Sequence, residues 1–236
     1  MIWIRAIMVL LKDTRMHKIV IMLLSIYTCV STCGLAQDNL DGWTKLFNGT
    51  DFTGWTQFLP PDSKLKPGDV WSIKDETIIC QGNANGYLST EKEYSNYELR
   101  LQWRWGDKVT SSRNSGVLLH VNGADKLWPK SAEAQLQSGS AGDFWLIDKF
   151  KLEIDPARKD PKSGIHYFRM KAEGVEKAVG EWNRYDVTCT SDTIHLKVNG
   201  QVVNEGRHPE TSHGRICLQS EGAEIHFRDV QIRQIK

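Results

Sequence analysis

Residues 97–105 read Tyr-Glu-Leu-Arg-Leu-Gln-Trp-Arg-Trp. Every odd position is aromatic or leucine, and every even position is charged or an amide. A period of two is the spacing of side chains on one face of a strand. The stretch therefore predicts a strand with Tyr97, Leu99, Leu101, Trp103 and Trp105 in a core. Its other face carries Glu98, Arg100, Gln102 and Arg104. Two readings of that face stand side by side: a solvated surface laced by cross-strand ion pairs, or a concave floor whose Arg100 and Gln102 hydrogen-bond a ligand.

Working outward, the same alternation recurs between turn signals. Strands are predicted over 115–121, 132–137, 183–190, 193–198, 201–203, 214–220 and 224–235. Asn199-Gly200 marks a two-residue hairpin turn. Trp71-Ser72-Ile73 and Thr77 to Cys80 pair across Lys74-Asp75-Glu76. So many short strands, with almost no helical periodicity after Gln37, predict an all-β fold, a jelly-roll sandwich forming one domain over 37–236. Residues 148–180 break the regularity with charges, prolines and turn residues. Such excursions over a sheet face often carry function.

Residues 16–36 have a basic start, an apolar run from Ile19 to Leu24 and small residues near Ala36. This pattern predicts an export signal cleaved before Gln37, with Met16 as the true start and a periplasmic or secreted product. Thr32 spoils the lipoprotein box before Cys33, so lipid anchoring is the lesser alternative. The apolar run is too short for a membrane span. Without residues 1–36, the chain carries 26 basic and 28 acidic side chains and no charge run. That balance argues against nucleic acid as a partner. Cys80, Cys189 and Cys217 remain, an odd number without metal-ligand spacing, and Cys189 alternates with Tyr185 and Val187 as a packing residue would. No cofactor motif is evident, and the sequence leaves a metal open.

The stretch 131–145, SAEAQLQSGSAGDFW, directs attention to chemistry. Glu133, Gln135 and Gln137 share one strand face, and amides beside an acid suit paired donor and acceptor contacts with hydroxyl-rich ligands. Asp143 and Trp145 follow a Gly139-Ser140-Ala141-Gly142 loop, and an indole offers a flat apolar face to a sugar ring. Among the histidines, His120, His166 and His226 are the ones placed for proton transfer. No Gly-x-Ser-x-Gly elbow, phosphate-binding glycine loop or His-Glu-x-x-His occurs. A two-carboxylate glycosidase would need an acid partner for Glu133; Asp143 and Glu221 are the candidates.

An ordered set of motifs resembles the 3-keto-disaccharide hydrolase family: Leu46-Phe47-Asn48-Gly49, Phe52-Thr53-Gly54-Trp55, Gly86-Tyr87-Leu88-Ser89-Thr90, Asn114-Ser115-Gly116-Val117, Gly180-Glu181-Trp182-Asn183 and Ile216 to Gly222. The resemblance implies a concanavalin A-like sandwich and glycoside substrates oxidised at C3. One departure is Gln102-Trp103-Arg104, where many members carry Glu before the aromatic residue. A C3 ketone acidifies the C2 hydrogen, so one base, donors for the enolate oxygen and an acid at the leaving oxygen suffice for β-elimination or net hydrolysis. Glu133 is the first candidate base, with His166 and His120 next. Arg100, Asn114 or Gln135 would hold the oxygen, and Gln102, Gln137, Trp145, Gln219 and Glu221 complete the expected carbohydrate site. The alternative is a carbohydrate-binding module without catalysis, since one fold serves both.

Overall fold

The computed structural model describes residues 42–171 and 173–235; the export signal, Met16 and Cys33 lie outside the described residues. The first short strands are β1 (Thr44–Lys45), β2 (Trp55–Phe58), β3 (Trp71–Lys74), β4 (Thr77–Cys80), β5 (Gly86–Thr90) and β6 (Tyr94–Ser95), with one four-residue helix, α1 (Pro67–Val70), leading into β3. The long β7 (Tyr97–Asn114) precedes β8 (Gly116–Val121), β9 (Ser131–Gln135), β10 (Phe144–Ile147) and β11 (His166–Tyr167). Then come β12 (Asn183–Cys189), β13 (Thr193–Val198), β14 (Gln201–Arg207) and β15 (His213–Gln234).

Apart from β6, which pairs with the start of β15, these strands form two antiparallel sheets. Sheet I runs β14-β13-β12-β7-β15, with β1 and the β3–β4 hairpin on the far edge of β15. Sheet II runs β2-β5-β15-β8-β9-β10-β11. The two layers share β15, where the sequence pattern predicted two separate strands. Its residues 215–220 pair within sheet II, and residues from 225 onward pair with β7 and β4 in sheet I. Register shifts between Glu221 and Ile225 make this change of layer possible, since a bulge bends the strand and re-aims its side chains. Gly222 sits there at φ +80, and a Cβ would come within 2.6 Å of the Ser112 carbonyl oxygen. Only glycine fits that corner.

The core lies between the sheets. Tyr97, Leu99, Leu101, Trp103 and Trp105 are buried as the alternation predicts, in one cluster with Tyr185 and Val187 of β12 and Val117, Leu119 and Ala134 of sheet II. Burying a side chain of this size stabilises by about 1.5–3 kcal/mol, so this strand anchors the fold. Asn199 and Gly200 both have positive φ, as the predicted hairpin turn requires. Cys80, Cys189 and Cys217 are all unpaired and buried. Burial pushes their thiols up to about 11, about 12 and about 12, which makes them packing groups rather than nucleophiles.

The sheets differ on their outer faces. In β7 buried and half-buried positions alternate up to Trp105. In β5, β8 and β9 every position is buried. Sheet II therefore covers both faces. Outside it, Tyr87, Leu118, Val121, Ile147 and Cys217 form a second small apolar cluster against Phe58 and Trp145.

Candidate carbohydrate site

A cavity of about 390 Å³ opens on the outer face of sheet II. That is within the range of about 300–1,000 Å³ usual for small-ligand sites. Seven residues singled out in the sequence meet there: Asn114, Glu133, Gln135, Gln137, Trp145, Gln219 and Glu221. Strand register explains the convergence. Glu133 of β9 stands opposite Leu118 of β8 and Trp145 of β10, and Gln135 stands opposite Gly116. Glu221 pairs with Asn114 at the point where β15 changes sheet.

Glu133 is 5% exposed, and its Oε1 has no hydrogen-bond partner. Its carboxyl group occupies the space over Gly116, where a Cβ would approach Oε1 to 2.2 Å. Burial pushes its pKa up to about 8, and the nearby Glu221 carboxylate adds to the rise. Glu221 is also raised, again by burial, but a hydrogen bond from Asn114 favours its ionised form. Gln219 is buried with neither amide atom partnered, and Asn114 Oδ1 is likewise unpartnered. Gln135 is already committed in part, because its side-chain oxygen accepts from the backbone N–H groups of Leu136 and Gln137, both at 2.9 Å. Unsatisfied buried polar groups each cost about 1–3 kcal/mol, so their clustering around one cavity points to a ligand.

Asp143 and His166 form a neighbouring clamp. His166 Nε2 lies 2.8 Å from Asp143 Oδ2 and its Nδ1 lies 2.9 Å from Asp160 Oδ2. The imidazole stacks on Trp145, with ring centroids 4.4 Å apart. With a carboxylate on each ring nitrogen, His166 has no free nitrogen for a substrate proton, and neither Asp143 nor His166 lines the cavity. The Asp143 carboxyl is raised by burial, against the pull of His166, whereas Asp160 is lowered by its bond to His166. The clamp holds Trp145 and ties the 148–180 excursion to β10.

Four other expected positions fall elsewhere; His226 lies on sheet I, where its Nδ1 accepts from Arg104 and its Nε2 lies 2.7 Å from Glu224 Oε1. His120 has φ +55, where a bulge interrupts β8. It therefore faces the core, 5.9 Å edge-on from the Tyr97 ring, fully buried and with both nitrogens unpartnered. Burial lowers it to about 4, so it is a neutral core histidine rather than a base. Arg100 and Gln102 lie on the outer face of sheet I. Arg100 Nε donates to Gln231 at 2.7 Å, and Gln102 contacts Asp229 and Arg228. On this face the polar groups pair across strands around a second cavity of about 320 Å³, lined by Arg100, Gln102, Arg184, Asp229 and Gln231.

Four lining residues were not picked out from the sequence: Trp128, Ile147, Asp148 and Ile165. Asp148 and Ile165 belong to the 148–180 excursion, whose irregularity was the available signal. Trp128 sits in a loop without periodicity. Among the described residues, no group of three or more His, Cys, Asp or Glu is arranged to hold a metal ion, and no helix is long and apolar enough to cross a membrane.

Comparisons with known proteins agree with this architecture. A Parabacteroides distasonis protein provisionally described as a glycosyl hydrolase is 24% identical, with a TM-score of 0.59 over 83% of this chain and 95% of its own. A β-glucanase of Bacillus licheniformis is 10% identical, with a TM-score of 0.52 over 84% and 100%. A carbohydrate-binding module of Bacillus subtilis is 14% identical, with a TM-score of 0.52 over 77% and 96%. At these identities the likeness establishes the fold, a concanavalin A-like jelly roll. Comparison with curated proteins finds no significant match. The family model described as the 3-keto-alpha-glucoside-1,2-lyase-like domain matches residues 42–233, and the chain belongs to that family.

Proposed function

We propose that the protein cleaves 3-keto-glucosides, with Glu221 and Glu133 exchanging one proton across the scissile region. The observation that carries this reading is a buried carboxyl group, Glu133, beside a half-buried one, Glu221, in a cavity where Gln219 and Asn114 carry unpartnered amide atoms. Two coupled carboxyl groups in such a place hold one proton between them near neutral pH. The more deeply buried Glu133 keeps it, and Glu221, held by Asn114, is the ionised member. This makes Glu221 the base and Glu133 the acid, exchanging the role expected for Glu133 from the sequence.

Glu221 takes the C2 proton, and the C–H electron pair forms the enolate of the C3 ketone. Gln219, a buried amide with no partner, donates to the enolate oxygen. The enolate collapses to a C1–C2 double bond as the C1–O bond breaks, and Glu133 protonates the departing oxygen. Addition of water reverses the traffic: Glu133 recovers a proton from the water attacking C1, and Glu221 returns its proton to C2. The net result is hydrolysis, or lysis if the unsaturated ketone leaves first.

Aglycone release from 3-keto-glucosides with a nitrophenyl and with an alkyl leaving group tests the assignment. Glu221→Gln should lower turnover of both by about 10²–10⁴, whereas Glu133→Gln should do so only for the alkyl compound, which needs an acid. The wild-type pH profile should fall on its alkaline side near the value of about 8 set by Glu133. Sugar binding with no release by any form would identify a carbohydrate-binding protein instead. We also propose export on the strength of residues 16–36. Intact mass of the product from a bacterial host should begin at Gln37, and a lipid-modified Cys33 would contradict release.

A further inference from the structure

The cavity has two chemically distinct ends. Along β9 toward Gln135, its walls are Asn114, Gln135, Gln137, Gln219 and Glu221. In the opposite direction, toward Ser131, they become Ile147, Trp128 and Ile165, with Trp145 at the midpoint opposite Glu133. The register fixes this order: Ile147 pairs with Ser131, one face-step from Trp145 and Glu133, and the backbone of Ile165 bonds to Leu146 of β10. Glu133 leans over Gly116, toward the amide end. Trp128 is 36% and Ile165 is 41% exposed, both large apolar side chains left open to solvent at the mouth. The rim charge near them is already matched, since Asp148 accepts from Lys126 at 2.6 Å.

We infer that the apolar end is a leaving-group subsite selective for an aromatic aglycone, with Trp128 and Ile165 as its specificity-determining residues. The inference rests on the reading proposed above. The amides hold the oxidised ring, so the acid Glu133 stands at the junction where the C1 oxygen departs. What lies beyond that junction meets two indoles and two isoleucines, with a single carboxylate, the Lys126-paired Asp148, at the rim. A second sugar would stack one face on an indole but turn its hydroxyls toward the two isoleucines, whereas a flat aromatic ring removes that apolar surface from water.

The test compares benzyl and methyl 3-keto-glucosides of one anomeric configuration, both alkoxide leaving groups. Turnover is measured in parallel with calorimetric binding. The wild-type protein should bind and turn over the benzyl compound with Kd and KM at least about tenfold lower than for the methyl compound. Trp128→Ala and Ile165→Ser, both at exposed positions, should bring that ratio within about threefold by weakening the benzyl compound far more than the methyl compound. Equal affinity for the two compounds in the wild type would overturn the inference. So would an equal loss for both in Trp128→Ala, which would make the indole a platform for the sugar. If neither compound is turned over, the catalytic reading fails, but the affinity ratio still decides the subsite.

Discussion

The outer faces of the two sheets use the same residue types to opposite ends. On sheet I, Arg233 bonds Glu98, Arg184 bonds Asp186 at 2.6 Å, and Arg104 bonds His226 at 3.2 Å. Arg100 lies over Trp43 at 4.0 Å, and Arg228 over Trp182 at 4.0 Å. This face is half exposed, and its named polar groups have partners within the protein. On sheet II, Glu133, Gln219 and Asn114 are poorly exposed and carry unpartnered atoms. Amides and carboxylates alone therefore do not mark a site. What sets sheet II apart is burial without satisfaction gathered around an open cavity, where a ligand can repay that cost.

Stability measurements probe this contrast, beginning with the core that both faces share. Leu101→Ala should destabilise by about 2–5 kcal/mol, read from denaturant melts, since it empties a fully packed position between the sheets. Glu133→Gln should move the other way. In the folded protein the carboxyl titrates near 8, whereas an unfolded glutamate titrates near the ordinary 4.5. The folded state therefore holds the extra proton between those values. Stability contributed by this group is present below about pH 4.5 and is lost as pH rises to about 8. The glutamine variant escapes that loss and should be more stable by about 1–3 kcal/mol at pH 8, with little difference at pH 4. An unchanged pH dependence would mean that Glu133 is solvated. Smallest is Arg100→Ala, at no more than about 1 kcal/mol and with turnover unaltered, because its contacts lie on a half-exposed face.

The alternation at 97–105 made the inward set of β7 legible, because a half-buried strand writes its two faces directly into its sequence. The hairpins at 74–77 and 199–200 were legible through turn chemistry, with positive φ at Asp75, Glu76 and Asn199. In Glu133, Gln135 and Gln137 the shared face could be read as well. Which of two polar faces carries this cavity could not, since that depends on Trp128 from an aperiodic loop before β9 and on Ile165 arriving from about thirty residues further on. His120 misled for a local reason: a bulge reverses its direction, and no period-two count registers one. His166 misled for a distant one, since Asp160 and Asp143 occupy both its nitrogens. The continuity of β15 across both sheets was hidden by Gly222, a residue that reads as a break and serves as a corner.

The central claim is that ligand binding belongs to sheet II and not to sheet I. Its most direct test is a crystal structure of the Glu221→Gln protein soaked with methyl 3-keto-glucoside. The account predicts a sugar ring in the cavity between Glu133 and Gln219, with the C3 oxygen on the Gln219 amide. A ring lying instead on the sheet I face, over Trp43 or Trp182 and against Arg100, would contradict it.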